Sequence, residues 1–140
     1  MFVDAKNDFS VAQTIATAAS TNVIDLGPIK GAARDVGVGE KFYIVLWTPT
    51  AMSGTTPTLT VAVQTDDNVG FASPTTLHTS AALTPANLAA GPVVIPMPFG
   101  AEKFLRLSYT AGGTVAAGTV SASVTLDPQK FVANARNYTV

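Results

Sequence analysis

The sequence predicts an all-β domain: an eight-stranded antiparallel jelly-roll β-sandwich with a short helical turn and an extended C-terminal arm. Three observations lead there. Apolar residues recur with a period of two, not 3.6. Turn-forming residues interrupt these runs at short intervals. Only one stretch reads as helical. Eight short strands with so little helix make a sandwich, and a jelly roll is its commonest eight-stranded form. At 140 residues the chain has the size of one domain, large enough to bury a core without covalent staples. Residues 1–128 are assigned to that domain and residues 129–140 to the arm.

The clearest alternation lies in PTLTVAVQT, where Leu59, Val61 and Val63 oppose Thr58, Thr60, Ala62 and Gln64. In KFLRLSYT, Leu105, Leu107 and Tyr109 oppose Phe104, Arg106 and Ser108. In TVSASVTLD, Val120, Ala122, Val124 and Leu126 oppose Thr119, Ser121, Ser123 and Thr125. Each pattern is that of a strand with one face on a core. Five more candidate strands lie at residues 11–17, 22–26, 41–48, 71–79 and 92–97. Gly37-Val38-Gly39, Ser53-Gly54, Asp67-Asn68, Ala111-Gly112-Gly113 and Gly118 supply the turns. The helical turn is TPANLAA at 84–90, with Thr84 as its cap, Pro85 at its first position and Gly91 as its stop.

Two strands break the pattern. KFYIVLWT is apolar on both faces, Phe42, Ile44 and Leu46 on one and Tyr43, Val45 and Trp47 on the other. A sandwich strand buries only one face by itself, so the second needs a loop or a neighbouring subunit over it. In PVVIPMPF, Pro92, Pro96 and Pro98 fall on alternate residues. Proline has no N–H to give to a ladder, so this is an edge strand or one that stops pairing midway. The final QKFVANARNYTV lacks alternation but carries Phe131, Val132, Tyr138 and Val140 with Lys130 and Arg136. Disordered tails are poorer in aromatics, which makes this an arm lying on its own domain or on a neighbour.

Composition narrows function by exclusion. Charged residues make up only 12% of the chain, about half of the roughly 25% usual in soluble domains. Abundant Thr and Ala leave much of the surface small and neutral, suited to cover by other chains. A net charge of −1 gives no basic field for nucleic acid. The absence of cysteine excludes disulfides and thiolate metal sites. No apolar run approaches the roughly 20 residues of a membrane span. The charged N-terminal stretch is unlike a signal peptide, so a cytosolic product is expected.

The residues that invite chemistry have plainer readings. Asp66-Asp67-Asn68 places three oxygen-bearing side chains in a row. Calcium loops space their ligands at alternate positions and end in a bidentate Glu. Here the acids are consecutive and no Glu follows within a dozen residues, so the triplet reads as a turn. His78 is the chain's one histidine, and no GxSxG-like elbow surrounds any serine. Asp35 with Glu40, and Glu102 with Asp127, sit beside Arg34, Lys41 and Lys103 and read as solvated ion pairs rather than as a hydrolytic carboxylate pair. A chain this poor in ionisable groups has little with which to do acid–base or metal chemistry. No catalytic, cofactor-binding or metal-binding residue is assigned, and the protein is expected not to be an enzyme. A carbohydrate-binding sandwich stacking sugars on Tyr43, Trp47 or Tyr109 is the alternative to a structural role.

Four ordered segments carry a family resemblance: AASTNVIDLG (18–27), RDVGVGEKFYIVL (34–46), LTVAVQTDDNVGF (59–71) and GAEKFLRLSYTAGGTVAAGTVSASVTLD (100–127). Together they resemble the capsid cement, or decoration, proteins of tailed bacteriophages, most closely the family of the cement protein of the short-tailed Bordetella phage. The resemblance runs from about residue 8 to 128. It implies a jelly roll on the outside of an icosahedral head, assembled in the host cytoplasm and clamping neighbouring subunits of the major capsid protein. It also implies a homo-oligomer, a dimer ahead of a trimer. Read with the apolar and charged positions above, the expected partner-binding residues are Tyr43, Trp47, Asp67, Phe131, Arg136 and Tyr138.

Overall fold

The computed structural model describes residues 5–27 and 41–128. These residues form β1 (Asp8–Thr14), β2 (Ala18–Ala19), β3 (Ile24–Asp25), β4 (Tyr43–Asp66), β5 (Thr75–Thr79), α1 (Pro85–Ala89), β6 (Val93–Pro96) and β7 (Phe104–Thr125), with a 3-10 turn at Ala5–Asn7. The all-β class follows directly: α1 is the one α-helix among the described residues, and no helix among them is long and apolar enough to cross a membrane.

Among the described residues seven strands stand in place of the expected eight: two pairs of candidates merge, and β2 (Ala18–Ala19) forms where no strand is predicted. β4 runs for 24 residues and β7 for 22. They pair antiparallel from Tyr43↔Thr125 to Asp66↔Phe104. The glycines read as turns at Gly54, Gly112-Gly113 and Gly118 lie inside these strands. The physical reason is that both strands bend together, so the ladder shifts register between Trp47 and Thr58 and resumes instead of ending. At Gly54, φ is 145°, and a methyl group there would overlap the Thr114 carbonyl oxygen. Gly113 has φ 65° and would press a methyl group onto the Thr56 carbonyl. Only glycine lets the two backbones approach so closely.

Other boundaries also move. The first strand begins at Asp8, and the expected strand at 22–26 shortens to β3. The expected strand at 71–79 starts only at Thr75, because Phe71 has φ 50° and belongs to the preceding turn. The helical turn forms with Thr84 as N-cap and Pro85 in its first turn, in a reciprocal capping box with Asn87.

The hydrogen-bonded order is β1-β7-β4-β5, with β2 and β3 also on β7 and β6 also on β4. The long ribbon therefore has two differently flanked halves. In one, β1 and β6 flank the C-terminal part of β7 and the N-terminal part of β4, as in Gln13↔Val120 and Leu46↔Val93. In the other, β3, β2 and β5 flank the remaining parts, as in Ile24↔Leu105, Ala18↔Tyr109 and Val63↔His78. Ile44, Leu46, Val120 and Ala122 from the first half share one hydrophobic cluster with Leu59, Val61, Val63, Leu105, Leu107 and Tyr109 from the second. Phe9 and Leu88 of the flanking elements belong to it as well. The Ser10 hydroxyl lies 2.8 Å from the Tyr109 hydroxyl and ties the halves across the core.

The alternation in 119–127 holds only in part. Val120 and Ala122 are buried, but Leu126 is 59% exposed, because the ladder stops at Thr125. Ser121 and Ser123, on the other face, are themselves buried. β6 ends at Pro96, and among the described residues it pairs only with β4, as the alternating prolines predict.

Candidate functional site

The residues singled out for binding fall in three places. Tyr43 and Trp47 lie on the first stretch of β4, opposite Thr125 and Ser121 of β7. Both are half-buried. Between them Val45 is fully buried although it stands outside the core cluster. The second apolar face of this strand is thus covered within the single chain at Val45 and partly open at its two aromatic residues. Val94 of β6, paired with Val45, is partly exposed and extends the apolar surface sideways.

Asp66, Asp67 and Asn68 form the connection after β4. Asp66 is only 4% exposed. One carboxylate oxygen accepts the Asn68 N–H at 2.9 Å and the other accepts the Ser73 N–H at 3.0 Å. The Asn68 side-chain oxygen accepts the Gly70 N–H at 2.8 Å, and the Phe71 N–H donates to the Asn68 carbonyl at 3.0 Å. These bonds hold the Asp66 carboxyl below the usual carboxylate range, the Asn68 amide first, against the opposing effect of burial. Asp66 is therefore committed to the turn, as the turn reading of the triplet predicts. Asp67 is exposed beside it. Among the described residues no group of three His, Cys, Asp or Glu side chains is placed to hold a metal ion.

Phe131, Arg136 and Tyr138 lie outside the described residues, as do Arg34, Asp35 and Glu40. Of the described positions, Tyr43 begins β4, Trp47 follows four residues later, and Asp67 lies just beyond the strand's other end.

Of the rings considered for stacking on sugars, Tyr109 is removed. It is 1% exposed, and burial pushes its hydroxyl up to about 12 against the lowering effect of the Ser10 hydrogen bond. His78 is exposed on β5, paired with Val63.

Three features escaped the sequence reading. Arg106 lays its guanidinium 4.2 Å from the centre of the Phe71 ring while its Nε donates to Gln64 Oε1 at 2.9 Å. That pairing depends on which residues the ladder sets side by side, which no local pattern reveals. Phe99 is 85% exposed between Pro98 and Gly100. An aromatic residue between two turn formers is a signal that would have found it. The Ser123 hydroxyl is buried without a hydrogen-bond partner, and its alternation with alanine and valine gave no hint of a second cover.

No curated protein matches this chain. The sequence profile of the Bbp16 family matches residues 9–124, a span containing every strand pairing described above except the contacts at Asp8 and Thr125. The chain belongs to the Bbp16 family, whose name points to a protein of a Bordetella phage.

Proposed function

We propose that this protein is a structural cement protein. It binds the outer surface of an icosahedral phage head, clamps neighbouring subunits of the major capsid protein, and has no catalytic activity. The observation that carries this reading is the family match over residues 9–124, together with the four ordered segments resembling phage decoration proteins. The half-exposed aromatics Tyr43 and Trp47 on a strand apolar on both faces are consistent with a docking role.

We read the fold as a jelly roll. The strand neighbours support it: β1-β7-β4-β6 in one half and β2/β3-β7-β4-β5 in the other reproduce the two four-stranded sheets of that architecture once each long strand is counted as two. A single core shared by both halves is what two packed sheets require.

The proposed contacts are Tyr43, Trp47 and Asp67, with Phe131, Arg136 and Tyr138 from the C-terminal segment. The chain acts as a homo-oligomer, a dimer in preference to a trimer. Stabilisation follows from binding the assembled lattice and not its separated parts. Each engaged contact raises the effective concentration for the next, so many weak copies fasten strongly.

The test is co-sedimentation of the purified chain with expanded heads and with precursor shells, followed by thermal rupture of heads made with and without it. Retention on expanded heads alone and a higher rupture temperature in its presence are expected. Equal rupture with and without the chain would sink the reading.

A further inference from the structure

In the half-sheet that includes β5, the side turned away from the core is small and nearly uncharged. Leu59, Val61, Val63, Leu105, Leu107 and Tyr109 belong to the core cluster. The residues that alternate with them therefore point outward. The ladder sets Gln64 beside Arg106 and Ala62 beside Ser108. Thr76 and Thr79 of β5 continue these two rows. Both threonines are exposed, and the four residues of β4 and β7 are half-buried. Arg106 is the one charged side chain in the two rows.

Arg106 is held in place. Phe71 is buried yet stands outside the core cluster, and the Arg106 guanidinium lies 4.2 Å from the centre of its ring. The turn closed by Asp66 and Asn68 thus folds the ring back over the outer face. Arg106 Nε donates to Gln64 Oε1 at 2.9 Å. With the plane and Nε fixed, both Nη groups point one way as a fork. They have no partner among the described residues. Nor are they buried, because the Ser123 hydroxyl is the one buried side-chain polar atom there without a partner. Lys103 repeats the pattern: it is exposed, with Nζ 4.8 Å from the centre of the Phe104 ring. Phe104 and Arg106 are two residues apart on one face of β7, about 7 Å. The neighbouring acids make other bonds: Asp66 accepts the Asn68 and Ser73 N–H groups, and Asp25, opposite Phe104, accepts that of Gly27.

We propose that this face docks a protein partner that sets an aspartate or glutamate within an uncharged patch. Arg106 grips the carboxylate through both Nη groups, and Lys103 adds a second positive charge beside it. Parallel N–H donors match the two oxygens of a carboxylate. A free arginine loses much rotamer freedom on binding; Arg106 has already lost it to Phe71 and Gln64, so engagement costs less. The small neutral side chains around it let a partner approach without desolvating other charges. The identity of the partner, a subunit of the shell, rests on the capsid reading. The face is separate from the stretch of Tyr43 and Trp47, which lies in the other half-sheet.

Co-sedimentation with expanded heads compares the native chain with Arg106→Gln, Arg106→Lys and Val23→Glu, alongside the melting temperature of each free chain. Val23 is exposed and lies one residue beyond the Ile24↔Leu105 pair, next to Arg106. A glutamate there offers the fork an internal carboxylate, and this variant serves if the Arg106 variants do not fold. Each variant is expected to need about tenfold more chain to half-saturate the heads, with no loss of melting temperature in Val23→Glu. Added salt should weaken the native chain more than Arg106→Gln. Undiminished binding by the folded variants overturns the proposal and leaves the capsid reading standing. Lower melting temperatures in both Arg106 variants with undiminished binding would reduce the arginine to a cover for Phe71, and overturn it too. A native chain that binds no heads overturns the capsid reading and this partner with it. A native oligomer that Arg106→Gln dissociates in the absence of heads would make a second copy the partner, and would overturn it likewise.

Discussion

Two buried ionisable side chains do structural work that pH can reveal. Asp66 accepts two backbone amides, from Asn68 and Ser73, and its carboxyl is held below the unfolded value of 3.8. A depressed carboxyl stabilises the fold above its unfolded value, and the effect is lost as pH falls through the folded one, because the unfolded state takes up the proton first. Denaturant titrations from pH 5 to pH 2 should therefore show falling stability in the native chain. Asp66→Asn should be less stable at pH 6 and show a shallower acid limb; identical limbs would mean that Asp66 contributes nothing. Tyr109 behaves oppositely. Its hydroxyl is raised from 10.0 to about 12, so its stabilisation is complete below pH 10 and is lost as pH rises toward 12. That loss is on the order of 2–3 kcal/mol. Tyr109→Phe should remove this part of the alkaline slope while costing about 1 kcal/mol at neutral pH for the bond to Ser10. A slope unchanged in the variant would assign it to other groups. The turn at Asp66 was legible from residue type alone; the bonds to Ser73 and the burial of Tyr109 against Ser10 were not, since each joins residues that only the fold brings together.

At the level of elements, the long β4–β7 ribbon depends on glycines that permit close backbone approach. Gly54 and Gly91 have nearly the same φ, 145° and 149°, but different surroundings. A methyl group on Gly54 meets the Thr114 backbone, whereas one on Gly91 meets nothing within 4 Å. Gly54→Ala should cost about 2–4 kcal/mol, and Gly91→Ala less, by the contribution of the close approach. Equal losses would attribute the whole effect to φ. The same residues explain why the strand count differs from the sequence reading. Glycine and serine mark a turn when a strand must end, and equally mark a bend when its partner bends with it. The local sequence does not distinguish these cases, because the difference lies in whether Val115 stands across from Gly54.

At the scale of the whole molecule, surface character and family membership bear on function. The chain exposes scattered apolar residues, Val11, Val69, Phe99 and Leu126 among them, and carries few charges to solvate them. Apolar residues exposed singly are ordinary on a protein surface, and the proposed fastening rests instead on many weak contacts acting together. The comparison of expanded heads with precursor shells belongs to this scale, because lattice spacing exists only in the assembly.

The sequence by itself determined the all-β class, the inward faces of Leu59, Val61 and Val63 and of Leu105, Leu107 and Tyr109, the capped turn at Thr84 and the structural use of Asp66. All of these follow from period, propensity or chemistry within a few residues. Tertiary structure alone decided that β4 and β7 are continuous, that their two halves share one core, and that Ser121 and Ser123 are buried on the face where alternation predicts exposure. Those outcomes depend on contacts between segments far apart in the chain, where the free energy of burying a face is set by what lies opposite it.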